Sequence, residues 1–399
     1  MSPFPLALEG IRVIDLSRVI AGPWCGAYLG DLGADVIKVE DIGGGDESRT
    51  WPPHKEGEAT AYLLFNRNKR AMTLDLKTPE AVEVVKELIR GADVLLENFR
   101  TGTMESFGLG YGVLAEINPR LIYCSISAFG RTGPRKDSPG YDALMQAFGG
   151  LMSITGEPGG QPVRSGASFI DLTTGILSAL GICTALLQRE RTGLGQRVDS
   201  SLLETAVSLL AYHAESYLLT GTVPGPLGSG HPSLSPYRNF QCAGGQWIFI
   251  AAANDRFWKN LIHALGRGDL AADPRFTTNQ ERVRHRAELE TILEGIICQQ
   301  KRDSLLALLE KANVPAAPVN NVAEVMNDPQ TLACGIVQRA LHPKLGEIPV
   351  LGTPLKFSRM APGIYRAAPQ RGEHTDEILT ECGYSPDRIQ RLRARKIIV

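Results

Sequence analysis

Ile11-Arg-Val-Ile-Asp-Leu16, then Gly22-Pro23-Trp24 running on to Leu32, then Gly33 and Val36-Ile-Lys-Val-Glu40: this stretch decides the fold. Ile11–Leu16 is a short β-branched run of the kind that forms a strand. Gly22-Pro23 places a proline near a helix start, and residues 24–32 continue a helix that Gly33 stops. Val36–Glu40 reads as the next strand. A strand, a helix and a strand within about thirty residues predict a parallel βαβ unit.

The pattern extends outward. Ala71–Leu76, Asp93–Glu97 and Leu121–Ser127 read as further strands. Thr78-Pro79-Glu80 opens a helix with Thr78 as N-cap, and Val82, Val85, Leu88 and Ile89 follow at helical spacing. This order predicts an α/β domain with an open parallel sheet and helices on both faces. Asp171–Gln188 and Leu202–Thr220 read as two long apolar helices, with a turn and a short strand over 193–199. Residues 221–246, rich in Gly, Pro and Ser, read as a linker. A strand at Trp247–Ala253 and helices near Phe257–Leu265, Arg284–Gln299 and Ser304–Ala312 form a second unit. Short strands are expected around Val350, Leu351 and Leu355, and two short charged helices near 373–382 and 386–395. The expected boundaries are 1–220 for the first part of a large domain, 221–246 for the linker and glycine loop, 247–325 for a small domain, and 326–399 for a return to the large one.

Composition narrows the function. With 399 residues the chain exceeds one ordinary core. Hydrophobic and charged fractions of 43% and 21% are those of a soluble globular protein. A formal net charge of -1 provides no global basic field, so no nucleic-acid partner is expected. The 7 cysteines are scattered, with no CxxC and no Cys/His cluster, so neither a disulfide framework nor a zinc site is expected. Free thiols fit a reducing cytoplasm. The first ten residues lack a basic segment followed by an apolar core, and no uninterrupted apolar run of about 18 residues exists, so neither a leader nor a membrane span is expected.

The chemistry-bearing residues read two ways each. A dinucleotide-binding G-x-G-x-x-G is absent after the first strand, where Ala21-Gly22-Pro23 stands, and there is no Walker A motif. Asn66-Arg67-Asn68-Lys69-Arg70, with Lys77 beyond it, reads as a solvated basic loop or as a clamp for phosphates. Asp171, just before an apolar helix, reads as an N-cap or as a carboxylate nucleophile. The two are compatible, because a helix N-terminus stabilises an anion. Gly228-Ser-Gly-His231 reads as a hinge or as a mobile loop that excludes water from a reactive intermediate. His213 and His263 fall in helical patterns and read as structural. No G-x-S-x-G occurs.

Leu8-Glu-Gly-Ile-Arg-Val-Ile-Asp-Leu-Ser-Arg-Val-Ile-Ala-Gly-Pro23 resembles the opening of the class III CoA-transferases, whose type members are formyl-CoA transferase and L-carnitine CoA-transferase. Gly33–Glu40, Asn66–Arg70 with Leu74-Asp-Leu-Lys77, Glu97-Asn-Phe99, Gly140-Tyr-Asp142 and Gly372-Glu-His-Thr-Asp376 are similar to further blocks of that family, in the same order. The resemblance spans nearly the whole chain. It implies a Rossmann-like open-sheet domain built from both chain ends, a smaller inserted α+β domain, and an interlocked homodimer. It implies Asp171 as the catalytic aspartate, passing through an acyl anhydride and a CoA thioester. Acyl-CoA is then a substrate, and no metal or permanently bound cofactor takes part. The CoA contacts that it carries over fall on Arg18, Ala21, Leu74, Lys77, Asn98, Phe99, Arg100 and Tyr141. Asp41 stands where formyl-CoA transferase has a cation, and its glycine tetrad is reduced here to Gly228-Ser-Gly-His231. The wording is closer to the succinyl-CoA:dicarboxylate members, such as the glutarate enzymes. Arg164, His231 and Arg238 are the candidates for the far carboxylate of such an acceptor, and Gly230 belongs with them to the expected substrate loop. The related acyl-CoA racemases, which share the fold and use a His–Asp pair, are the alternative, but Arg135–Tyr141 carries no histidine.

Overall fold

The structure, a computed structural model, describes residues 5–399; residues 1–4, part of the stretch read for a leader, lie outside the described residues. Six parallel strands form the main sheet: β1 (Arg12–Asp15), β2 (Asp35–Glu40), β3 (Lys69–Thr73), β4 (Val94–Glu97), β5 (Ile122–Ser127) and β6 (Arg197–Ser201). Their order is β3-β2-β1-β4-β5-β6, which reverses direction between β1 and β4. Val13, Ile14, Val36, Ile37, Leu95 and Leu96 are buried, so neighbouring residues on opposite faces of a strand are both covered. That is why these strands read as continuous apolar runs rather than as alternating ones.

Helices cover both faces. α1 (Ala21–Asp31) follows β1, and α2 (Pro79–Arg90) follows β3. α2 starts as its sequence predicts: the Thr78 hydroxyl accepts the Ala81 N–H at 3.3 Å, and Pro79 occupies the first helical turn. Its buried stripe is Ala81, Val84, Val85, Leu88 and Ile89. α3 (Asp142–Phe148), α4 (Phe169–Thr192) and α5 (Leu202–Leu209) complete the other side. α4 packs along α1. A Cβ on Gly175 would lie 2.6 Å from the Ala21 carbonyl oxygen, so only glycine permits this crossing. α4 is also long and apolar enough to cross a membrane by length and composition, although no such run was expected, and half of its apolar window is buried within the protein.

The chain divides into two units: residues up to 150, 165–211 and 334–399 form the first, and 151–164 with 212–333 the second. The C-terminal residues return to the first unit. Ile378, Leu379, Ile389, Leu392, Ile397 and Ile398 join the core of β1–β4 and α2. The hairpin Val337–His342 with Gly346–Leu351 also belongs there and packs on Ala59 and Tyr62. In the second unit three antiparallel strands, Tyr237–Gln241, Trp247–Ala251 and Ala316–Pro318, pair in one sheet. They share a core with the helices Asp255–Ala264, Arg286–Ile297 and Arg302–Lys311.

Three features differ from the sequence reading. The helix expected over Leu202–Thr220 is broken in two, because Ala211 adopts a left-handed φ of 47° and the second unit begins at Tyr212. The stretch 221–246, read as a linker, lies inside that unit and contains its first strand. Segment 151–164 and residues 326–333, expected with the large domain, also group with the second unit.

Candidate active site

The cleft lies at the carboxyl ends of the parallel strands, beside the point where the strand order reverses, which is where open α/β sheets bind ligands. Five of the six strand ends contribute to it: Arg18–Ala21 after β1, Glu47 after β2, Asn98–Thr101 after β4, Ser127 and Ala128 at the end of β5, and Leu202 after β6. Asp171 and Tyr141 complete the wall.

The first turn after β1 is held without a glycine fingerprint. Val19 takes a φ of 74°, strained for a β-branched residue. Its N–H is accepted by the Asp46 carboxylate at 3.2 Å. Asp46 in turn pairs with Lys38 at 2.7 Å, and Lys38 also donates to the Ser17 carbonyl. Both side chains are fully buried. Burial alone would raise the Asp46 carboxyl, but Lys38 and the Ser48 donors overcome it and hold it at about 2. From the other side Asn98 clamps Arg18, accepting its N–H at 2.8 Å and donating to its carbonyl at 2.7 Å. A Cβ on Gly22 would meet the Ser17 Cβ at 2.2 Å, so the turn can fold back only with glycine there.

The cleft is cationic at its rim. Arg18 lies over the Phe99 ring and pairs loosely with Glu47 at 3.4 Å. Arg131 is neutralised by Glu97 at 2.8 Å. Arg100 and Lys136 are exposed and have no carboxylate partner among the described residues. Tyr141 is 61% exposed at the mouth. Asp171 is 8% exposed. Burial first, and the neighbouring Asp142 carboxylate second, raise its pKa from 3.8 to about 7. Such a carboxyl group is desolvated and basic, as a carboxylate nucleophile requires.

The profile of CoA-transferase family III matches residues 8–375. The chain belongs to CoA-transferase family III. It is 43% identical to the succinate–glutarate CoA-transferase of Agrobacterium fabrum over 94% of this chain and 95% of that one. It is 40% identical to the human succinyl-CoA:glutarate CoA-transferase, over 94% and 85%. The succinyl-CoA–D-citramalate CoA-transferase of Chloroflexus aurantiacus is 37% identical, over 99% and 98%. A crystal structure of a CAIB/BAIF family protein from Brucella suis superposes with a TM-score of 0.86 at 42% identity, covering 95% of this chain and 100% of that chain.

For this CoA-transferase the structure gathers Arg18, Ala21, Asn98, Phe99, Arg100, Tyr141 and Asp171 around one cleft. Leu74 is buried in the sheet core and Lys77 is exposed on the turn before α2; neither lines the cleft. The run Asn66–Arg70 is neither a solvated loop nor a phosphate clamp. Arg67 pairs with Asp31 at 2.6 Å and Lys69 with Asp15 at 2.8 Å, all four side chains fully buried, while Arg70 binds Asp35, Glu377 and Glu381. These cations tie β3 to its neighbours.

Arg164, Gly230, His231 and Arg238 belong to the second unit. Arg238 is matched by Glu290 at 2.6 Å and Glu294 at 3.5 Å, so its charge is already partnered. His231 sits between the rings of Tyr212 and Tyr237, and its Nδ1 accepts the Ser233 N–H at 3.1 Å. Gly230 closes a turn, its N–H reaching the Leu227 carbonyl at 2.8 Å. Ser229 is bonded to Asn239 on the adjacent strand, so the glycine segment is anchored there. Arg164 is exposed.

Asp171 is not the N-cap of its helix. α4 begins at Phe169, two positions earlier than expected, and Ser168 makes no side-chain cap. The capping carboxylate comes from Asp142. The only sequence signal for Asp142 was its place in the Gly140-Tyr-Asp142 block.

Proposed function

We propose that this enzyme transfers CoA from succinyl-CoA to a small dicarboxylate, with Asp171 as the attacking carboxylate. The observation that carries the reading is the buried Asp171 carboxyl group in the cleft wall, held at about 7. At neutral pH about half of it is ionised, and that half is more basic than an exposed aspartate. It attacks the thioester carbonyl and expels CoA thiolate, leaving an aspartyl–succinyl anhydride. The thiolate then attacks the aspartyl carbonyl and releases succinate, leaving an aspartyl-CoA thioester. The acceptor carboxylate displaces the thiolate, and the thiolate attacks the acceptor carbonyl of the second anhydride, regenerating Asp171. CoA enters as substrate throughout, and no resident cofactor takes part.

Arg18, Arg100 and Lys136 at the rim suit the phosphates of CoA, and Phe99 and Tyr141 offer aromatic surface beside them. Relatives named for glutarate and D-citramalate support a dicarboxylate acceptor. A homodimer is part of the reading. α4 exposes Ile176, Leu177, Leu180 and Leu187 on one side, Leu180 being 61% and Leu187 60% exposed, and a second copy of this chain would cover that surface.

The test is incubation with succinyl-CoA, hydroxylamine trapping and mass spectrometry of the peptide containing Asp171, followed by a panel of dicarboxylate acceptors. An aspartyl hydroxamate at Asp171, with acyl-CoA formed only when an acceptor is present, is the expected result. Transfer activity in Asp171→Ala refutes the mechanism. Solvent deuterium entering the α-carbon of an acyl-CoA without an acceptor supports the racemase instead.

A further inference from the structure

A helix N-terminus ordinarily stabilises a carboxylate in its first turn and lowers its basicity. Asp171 occupies the first turn of the long helix α4, yet its carboxyl group is raised. Burial is the first reason, and the neighbouring helix supplies the second. Asp142, the first residue of α3, is 5% exposed. Its Oδ2 accepts the Ile170 N–H at 2.9 Å and the Asp171 N–H at 3.2 Å. Its Oδ1 accepts from Gln146 Nε2 one turn along α3. Gln146, also buried, accepts the Ser165 N–H at 2.8 Å through Oε1. A carboxylate from another helix therefore occupies amides that α4 would otherwise offer to Asp171.

We propose that Asp142 is a positioning residue of the transfer reaction, fixing the first turn of α4 so that Asp171 faces the cleft and taking the helix-end amides that would quench its carboxylate. The proposal rests on the reading of Asp171 as the nucleophile. Its consequence is directional. Free Asp171 is an anion facing a second buried anion, whereas the anhydride and the CoA thioester are neutral at that position. Attack on the thioester carries the negative charge away on the thiolate, so the repulsion exists before attack and is gone after it. Asp142 thereby favours the covalent states over the free carboxylate.

Other charged groups share the cleft: Arg18, Glu47, Arg100, Arg131, Lys136 and Asp137. Arg18 and Arg131 are paired with carboxylates, and Asp142 is the charge that acts on Asp171.

The experiment is Asp142→Asn in the full chain. It follows formation of the Asp171 adduct from succinyl-CoA in a single turnover across pH 5 to 9, beside a variant destabilised far from the cleft, Ile389→Ala. In the parent enzyme and in Ile389→Ala the rate should rise with pH through about 7. In Asp142→Asn this limb should move down by about one pH unit or more, and the fraction held as thioester should fall. An adduct that forms more slowly on an unmoved limb overturns the proposal and leaves the nucleophile intact. No adduct on Asp171 in the parent enzyme overturns both. If Asp142→Asn does not fold, Gln146→Leu carries the test, because both carboxylates remain but Asp142 loses its anchor. The limb should then stay near 7 while the adduct rate falls about tenfold or more. An unchanged rate overturns the proposal.

Discussion

Replacing Asp171 by Asn should abolish CoA transfer and, above neutral pH, make the protein more stable. Both effects come from the burial of one carboxyl group. In the folded chain it titrates at about 7, against 3.8 for an exposed aspartate. Between those values the folded state binds more protons than the unfolded state, so stability falls as pH rises through that window. The cost is absent below about pH 4 and complete above about pH 7. At about 1.4 kcal/mol per pH unit it reaches about 4 kcal/mol, a ceiling that relaxation and water entry around the anion reduce. Asparagine keeps the shape and removes the charge, so the variant escapes this cost. The assay is urea or thermal unfolding of both proteins from pH 4.5 to 8.5, with hydroxylamine trapping on the same samples. The stability gap should open with rising pH in favour of the variant and level off above about pH 7.5, with no trapped adduct on the variant. A gap independent of pH, or a variant less stable than the parent at pH 8, refutes burial as the origin of the Asp171 carboxylate's basicity.

Further perturbations separate the roles assigned above. Arg67→Met leaves Asp31 buried and unpaired and should cost about 3–5 kcal/mol in unfolding experiments, while KM for acyl-CoA of the folded enzyme stays within about twofold. Arg100→Ala and Lys136→Ala should each raise KM for acyl-CoA by about tenfold or less with kcat largely kept, and the double variant should show a weaker dependence of KM on salt. Leu180→Arg should shift a dimer toward monomer in light scattering, because it places a charge on the apolar face of α4; an unchanged mass argues against that face as the contact.

The parts of the molecule legible in the sequence are those governed by neighbours along the chain. β1, α1 and β2 could be read because a parallel strand buried on both faces needs a run such as Val36-Ile-Lys-Val, and because Gly33 stops the helix. Thr78-Pro79 marked the start of α2 for the same local reason. The buried ion pairs could not be read. Lys69 reaches Asp15 across 54 positions and Arg70 reaches Glu381 across 311, and composition gives no sign of such partners. The break at Ala211 also escaped, because Leu202–Thr220 contains no glycine or proline and its apolar residues run on without interruption. Asp171 was placed at the right helix, and of its two readings only the N-cap fails. A lone Asp near a helix start predicts a cap, whereas here the cap comes from Asp142, 29 positions upstream.

The strand order of this domain is that of dinucleotide-binding folds, yet its first turn is built on a different principle. In a glycine fingerprint the backbone amides approach the phosphates because no side chains intervene. Here Val19 stands in that turn in a left-handed conformation, and the Lys38–Asp46 pair and Asn98 hold it there. A turn fixed by side chains leaves Arg18 projecting at the rim and gives up part of the amide cradle. On the proposed reading, phosphate recognition falls to side-chain cations, and Arg18, Arg100 and Lys136 stand at that rim. The same exchange occurs at α4, where Asp142 takes the helix-end amides, and burial together with that carboxylate leaves Asp171 basic. In both places the fold withholds its backbone donors from the ligand. On the proposed reading, that arrangement suits a site that exchanges a polyanionic carrier beside a carboxylate reactive enough to attack its thioester.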